Sequence, residues 1–134
     1  MKFLLDVSAL LSLGVLDHEF HDRTAKFLTR NGITELATCA ITELGFVRVL
    51  AQAPQYGFTV AQARDLLVRL KKADVVKFTF IVDHHDVTHL PSWVKTAKQL
   101  TDGHLLELAK ANGAALVMLV LFDDASASTM GRID

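Results

Sequence analysis

Four short runs of apolar residues alternate along the chain with longer stretches in which apolar residues recur at helical spacing. A strand that is apolar at nearly every position is buried on both faces, and helices between parallel strands supply that cover. The sequence therefore predicts an α/β fold of three layers, α/β/α, with a mostly parallel central sheet. The predicted strands are residues 2–6, 36–39, 78–82 and 115–122.

Six amphipathic stretches predict the helices that separate and follow these strands. Their ends carry the usual signals, since Asn31 closes the second helix, Pro54 closes the third and Thr59 caps the fourth. Thr101 is expected to cap the sixth. Residues 123–134 are mostly small and polar, and no closing strand is evident there. The predicted helices are residues 8–16, 17–30, 41–53, 59–72, 92–100 and 101–112.

Length and composition exclude several classes of protein. With 134 residues, we expect a single domain over residues 1–134. The lone Cys39 excludes a disulfide scaffold and a zinc site built from thiolates. The longest apolar run, residues 114–122, is shorter than the roughly 20 residues that span a bilayer. Asp6 interrupts the apolar N-terminus too early for a signal peptide, so we expect a cytoplasmic protein. A net charge of −1 argues against general binding to nucleic acid.

Acidic residues fall at the ends of predicted strands and at the starts of helices. Asp6 ends the first strand and Asp123 follows the last, while Glu43 and Asp102 lie in the first turns of helices. Groups beyond the carboxyl ends of parallel strands gather at one crevice. Converging carboxylates there would select a hard cation such as Mg²⁺ or Mn²⁺ and point to phosphoryl chemistry. Glu43 and Asp102 are equally explained by helix N-terminal electrostatics, whereas a charge inside the apolar run at Asp6 is costly without a partner.

Three segments carry a resemblance to a known family. They read LDVSALL at residues 5–11, TELGFVRVL at residues 42–50 and TDGHLLELA at residues 101–109. Together, in this order and spacing, they resemble the PIN-domain ribonucleases, and most of all the VapC-type toxins of toxin–antitoxin pairs. The resemblance covers residues 2–124, which is nearly the whole chain.

This resemblance implies a metal-dependent endoribonuclease. Asp6, Glu43 and Asp102 would bind Mg²⁺ or Mn²⁺ and position the water that cuts RNA, leaving a 5′ phosphate and a 3′ hydroxyl. It also implies an antitoxin protein that covers the cleft of the resting toxin. Helices rich in Leu, Phe and Val offer an apolar stripe for a homodimer or for an antitoxin segment, although core packing explains most of the same residues.

The last predicted strand departs from the family pattern, in which Gly-Ala leads to Thr and, two residues later, to Asp or Asn. By that spacing, Met118 stands at the Thr position and Val120 at the acid position. A strand three residues longer would make Asp123 the fourth carboxylate, with its neighbour Asp124 as the alternative. These departures favour, as a second hypothesis, a PIN-like module that binds RNA or protein with lost or weakened catalysis. A phosphorelay receiver domain is disfavoured because Asp6 has no acidic neighbour.

Some histidine and basic residues have both a functional and a structural interpretation. For His84, His85 and His89, surface positions are favoured over a metal cluster, because adjacent loop residues rarely aim at one ion. His104 is a candidate for contacting substrate at the rim of the cleft. For the basic residues in the stretch 64–77, a solvent-exposed helix face is the favoured interpretation and an RNA-binding surface is the alternative.

Three further residues are candidates for supporting the acids. Ser8 and Thr42 are expected to be either hydrogen-bond partners of the carboxylates or plain helix caps. Arg48 follows Glu43 by five residues and is expected to pair either with an acid near the site or with an ordinary surface residue.

Overall fold

The structure is a computed structural model and describes residues 1–121 and 128–133. Within these residues, five strands form one sheet in the order β3-β2-β1-β4-β5. The first four strands of that order are parallel to their neighbours, and β5 runs antiparallel to β4. The strands are β1 (Lys2–Leu5), β2 (Glu35–Cys39), β3 (Lys77–Ile81), β4 (Ala115–Leu121) and β5 (Ser128–Ile133).

Helices cover both faces of this sheet. On one face, Phe3 and Leu5 of β1 pack in a cluster that includes Leu10 and Phe46, from two of the helices on that side. On the other face, Leu4 packs with Leu105 and its neighbours. Because side chains alternate along a strand, β1 serves both cores at once. This confirms the predicted three-layer α/β/α fold with a mostly parallel sheet. The helices are α1 (Val7–Gly14), α2 (His21–Arg30), α3 (Ala40–Gln52), α4 (Val60–Lys72) and α5 (Leu100–Ala111).

Three predictions about local structure were wrong. The expected helix at residues 92–100 is reduced to one 3-10 turn, Ala97–Gln99, whose capping box pairs Thr96 with Gln99. That turn leads directly into α5, so α5 begins at Leu100 and Thr101 is not its cap. The closing strand β5, which the sequence did not reveal, is defined by its backbone pairing with β4 and carries no apolar alternation.

Gly45 on α3 allows a close approach between two helix N-termini. A Cβ at this position would overlap the Cγ2 methyl of Val7, the first residue of α1. Val7 follows Asp6, and Gly45 lies two residues after Glu43. The glycine therefore sets how closely the helices that carry these two acids can pack.

Gly45→Ala is expected to lower the free energy of unfolding by about 1–3 kcal/mol, because the added methyl overpacks against Val7. Val7→Ala makes room for it, so the double variant should lose less than the sum of the two single variants. Urea unfolding of the four proteins measures this coupling. Additive losses would show that the contact does not limit the packing of α1 and α3.

None of the described helices is long and apolar enough to cross a membrane.

Candidate active site

Asp6 lies at the carboxyl end of β1 and is the N-cap of α1. Its Oδ1 accepts hydrogen bonds from the backbone N–H of Ala9 and from the hydroxyl of Ser8, both at 2.8 Å. Its own backbone N–H donates to the carbonyl of Val117 in β4 at 3.0 Å. These two contacts hold the carboxylate through Oδ1, and a hydrogen bond from the backbone of Ser8 also stabilises its ionised form. Oδ2 takes part in neither of the two Oδ1 bonds, so Asp6 can cap α1 through Oδ1 and offer Oδ2 to a ligand.

Asp6 and Asp102 lie close enough to influence each other's charge. The pKa of Asp6 is raised to about 6, mainly by burial and to a lesser extent by the nearby charge of Asp102, against the lowering effect of the hydrogen bonds from Ala9 and Ser8. Burial also raises the pKa of Asp102, in the first turn of α5, above its usual value. Two desolvated carboxylates in one place destabilise each other when both are ionised, and a bound cation would relieve this.

The carboxylate of Glu43 is bound by two side chains of the protein, Thr38 and Lys71. Its Oε2 accepts a 2.7 Å hydrogen bond from the ammonium of Lys71 on α4 and a 2.5 Å bond from the hydroxyl of Thr38 on β2. Lys71 and Glu43 form a salt bridge with both side chains partly exposed. The structure thus places Asp102 near enough to Asp6 for its charge to raise the pKa of Asp6, while Glu43 is held in an ion pair.

The donor chemistry at these positions fits a divalent metal ion. Carboxylate oxygens are the ligands preferred by Mg²⁺ and Mn²⁺, and the buried Asp6 carboxylate lies within the range of the charge of Asp102. In the part of the chain that the structure describes, no three acidic, histidine or cysteine side chains are already arranged around one point as a metal would need. Asp123 and Asp124, proposed for the fourth position, lie outside the described residues.

The predicted supporting residues have mixed outcomes. Ser8 is confirmed as a partner of a site carboxylate, because its hydroxyl donates to Asp6 and also accepts from the backbone of Leu119 at 3.2 Å. Thr42 is a helix cap, since its side chain bonds the backbone of Cys39.

Arg48 lines an open apolar depression on α3 and α4, and the carboxylate of Glu43 is paired with Lys71 instead. The partners of Glu43 are Thr38 and Lys71, and the sequence analysis missed both. Thr38 is the next-to-last residue of β2 and directly precedes Cys39, the N-cap of α3, so its position in the sequence could have indicated it. Nothing in the spacing of the residues indicates Lys71.

His104, two residues after Asp102, connects α5 to the segment that follows β3. Its Nε2 is bonded to Oδ2 of Asp83, and the backbone N–H of His85 donates to Oδ1 at 2.9 Å. Burial raises the pKa of Asp83, but these hydrogen bonds outweigh it, so the pKa falls below its usual value. The His85 ring stacks on His89 at 4.1 Å. His104 therefore has a carboxylate partner of its own, and its expected contact with substrate remains a prediction.

The basic stretch at residues 64–77 divides into two parts. Arg69 and Lys72 are exposed, as the solvated-face interpretation predicted. Lys71 differs because it is partly buried against Glu43, and its Nζ lies 5.5 Å from the ring centroid of Phe80.

The departures in the last strand are also visible in the structure. Val117 pairs with Leu5, so Met118 lies directly beside the end of β1, and its side chain packs against the core on the α5 face. Val120 lies in β4 opposite Thr129 of β5. Neither Met nor Val carries an oxygen donor, so these two positions supply no carboxylate to the site.

Comparisons with known proteins agree with the fold. Residues 3–127 match the family model described as the PIN domain. The chain is 38% identical over 135 aligned residues to Ribonuclease VapC44 of Mycobacterium tuberculosis, covering 96% of this chain and 91% of that protein. It is 37% identical over 126 residues to Ribonuclease VapC38 of the same species, with coverage of 90% and 84%. Ribonuclease VapC39, also from that species, is 30% identical over 135 residues, with coverage of 95% and 96%.

Proposed function

The chain belongs to the PIN-domain family, with VapC-type ribonucleases among its relatives, and on that premise we propose that it is a metal-dependent endoribonuclease, the toxin of a type II toxin–antitoxin pair. The observation that carries the proposal is the pair of desolvated carboxylates, Asp6 and Asp102. The names of the relatives support RNA as the substrate.

In this proposal each residue has a definite task. Asp6 presents Oδ2 while Ser8 and Ala9 hold Oδ1, so the carboxylate does not rotate. Asp102 in the first turn of α5 and Glu43 in the first turn of α3 would supply the other carboxylates to the metal. A Mg²⁺ or Mn²⁺ ion held by these carboxylates would supply positive charge for the scissile phosphate and for the attacking water. In this hydrolysis the water oxygen forms a bond to phosphorus and the water gives up a proton, while the bond from phosphorus to the 3′ oxygen breaks and that oxygen takes up a proton, which yields a 5′ phosphate and a 3′ hydroxyl. Asp123 is the proposed fourth carboxylate.

Removal of the divalent ion is expected to abolish RNA cleavage, because the two carboxylates then lack the charge that the phosphate requires. The measurement compares cleavage of a synthetic RNA by the purified chain in Mg²⁺, in Mn²⁺ and in excess EDTA. Addition of Mn²⁺ in excess of the EDTA should restore the rate. Equal cleavage with and without EDTA would contradict the proposal.

The alternative is a PIN-like module that binds RNA or protein with lost or weakened catalysis. Met118 and Val120 support it because they provide no carboxylate at the end of the sheet. The same assay separates the two hypotheses. RNA that binds and stays intact in both metals favours the binding module.

We also propose two protein partners and a cytoplasmic location. An apolar groove of about 370 Å³ between α2 and the segment before β3 is suited to an antitoxin segment, and it includes Leu16 and Val75, which are 82% and 91% exposed.

The depression around Leu44 on α3 and α4 is suited to a homodimer. Sedimentation velocity should give about twice the 14.7 kDa chain mass. A single-chain mass at micromolar concentration would reject the dimer.

A further inference from the structure

We propose that Lys71 competes with the divalent ion for Glu43 and so sets the metal affinity of the site below what its carboxylates alone would give. This inference rests on the proposed function, because it assigns a role in metal binding to a residue outside the acid set. It makes Lys71 a positioning residue, which acts on the site through the carboxylate that it contacts.

The contact geometry places the ammonium of Lys71 where it must affect Glu43. Its Nζ lies 2.7 Å from Oε2 of Glu43, the same oxygen that accepts from Thr38 at 2.5 Å. The two side chains of the ion pair are 29% and 24% exposed, so the pair is partly shielded from water. The ammonium lies 5.5 Å from the centroid of the Phe80 ring, which is within the distance of a cation–π interaction.

The charges determine the direction of the effect. A cation bound by Asp6, Asp102 and Glu43 is attracted by their negative charge, and the ammonium of Lys71 offsets the charge of one of the three. With Oε2 occupied by two donors, a metal would meet Glu43 through Oε1 or would have to displace Lys71. In both cases the positive charge beside Glu43 weakens cation binding.

The test is the affinity of the full-length chain for Mn²⁺, measured by electron paramagnetic resonance of free Mn²⁺ without RNA. We expect Lys71→Met to bind Mn²⁺ about three- to tenfold more tightly than the wild type, because the pair is only partly buried. Lys71→Arg keeps the charge and should behave as the wild type. Thermal unfolding of each variant establishes that it is folded.

Lys72→Met is the matched control for net charge. Lys72 is the next residue of α4 and is exposed, so its removal changes the overall charge equally and should alter the affinity less than about twofold. In a Glu43→Gln background, Lys71→Met should have no further effect, because the carboxylate for which Lys71 competes is absent.

The outcomes separate this inference from the proposed function. If the wild type binds Mn²⁺ and Lys71→Met binds it equally or more weakly, the inference is wrong and the metal site stands. An equal gain in Lys72→Met also overturns the inference, because overall charge then explains the change. If neither the wild type nor Lys71→Met binds Mn²⁺, both the inference and the proposed metal site are wrong.

Discussion

Asp6→Asn is expected to lower the rate of RNA cleavage at least about a hundredfold, because it removes one negative charge from the site that holds the metal. The Asn side chain keeps an oxygen that can accept from the N–H of Ala9, so α1 stays capped. The measurement is the initial rate on a synthetic RNA in saturating Mn²⁺. A rate within a few fold of the wild type would remove Asp6 from the active site.

The same variant should make the metal-free protein more stable at pH 8. The pKa of Asp6 is about 6 in the folded chain and is ordinarily 3.8, so the folded state binds more protons than the unfolded state between these two values. Stability from this group is therefore fully present below about pH 4 and is lost as pH rises through 6. Because Asn does not ionise, Asp6→Asn does not lose this stability as the pH rises. We expect its free energy of unfolding to exceed that of the wild type by about 1–2 kcal/mol at pH 8, and we expect the difference to vanish near pH 4.

Asp86→Asn is the matched control for this stability change. Asp86 caps the 3-10 turn Val87–His89, and hydrogen bonds from the Thr88 side chain and backbone lower its pKa. Because folding favours the ionised carboxylate of Asp86, Asp86→Asn should have a lower free energy of unfolding than the wild type at pH 8. If Asp6→Asn also lowers the free energy of unfolding at pH 8, then the capping role of the Asp6 carboxylate outweighs the cost of burying its charge, which contradicts this prediction.

Asp102→Asn is the second variant with a large expected effect. We expect cleavage to fall at least about a hundredfold, for the same electrostatic reason as at Asp6. In addition, the pKa of Asp6 in the metal-free protein should fall partway toward its usual value. Only the repulsion from Asp102 is removed, whereas burial, the larger cause of the shift, remains. Carboxyl ¹³C chemical shifts of Asp6 over a pH titration measure this change.

Glu107→Gln tests whether any acid on α5 has this effect. Glu107 lies on the same helix near Lys110, with 3.9 Å between Oε1 and Nζ. Its replacement changes the charge equally and should alter neither the cleavage rate nor the pKa of Asp6. An unchanged pKa of Asp6 in Asp102→Asn would show that the two carboxylates do not interact.

The layered core could be predicted because burial leaves a clear pattern in the sequence. Phe3, Leu4 and Leu5 are apolar without alternation since β1 has helices on both faces. The strand β5 could not be predicted in the same way, because it is recognised through its backbone pairing with β4. The helix expected at residues 92–100 failed because Gln99 pairs with Thr96 and confines the helical part to a short turn before α5.

The candidate site was predictable where local sequence determines the contact. Asp6 stood out as a charge within an apolar run, and Ser8, two residues later, bonds it directly. Lys71 lies 28 residues after Glu43, and their ion pair depends on how α3 packs against α4. Long-range contacts of this kind leave no periodic signal, so the sequence placed Glu43 with the other acids and missed its partner.

Anomalous scattering from crystals of the full-length chain soaked in Mn²⁺ tests the central claim most directly. The account predicts a peak at about 2.0–2.2 Å from carboxylate oxygens of Asp6 and Asp102, as expected for a small divalent ion. It also predicts that the peak is absent in Asp6→Asn. A well-occupied peak elsewhere, or none between these two carboxylates at saturating Mn²⁺, would contradict the metal site proposed here.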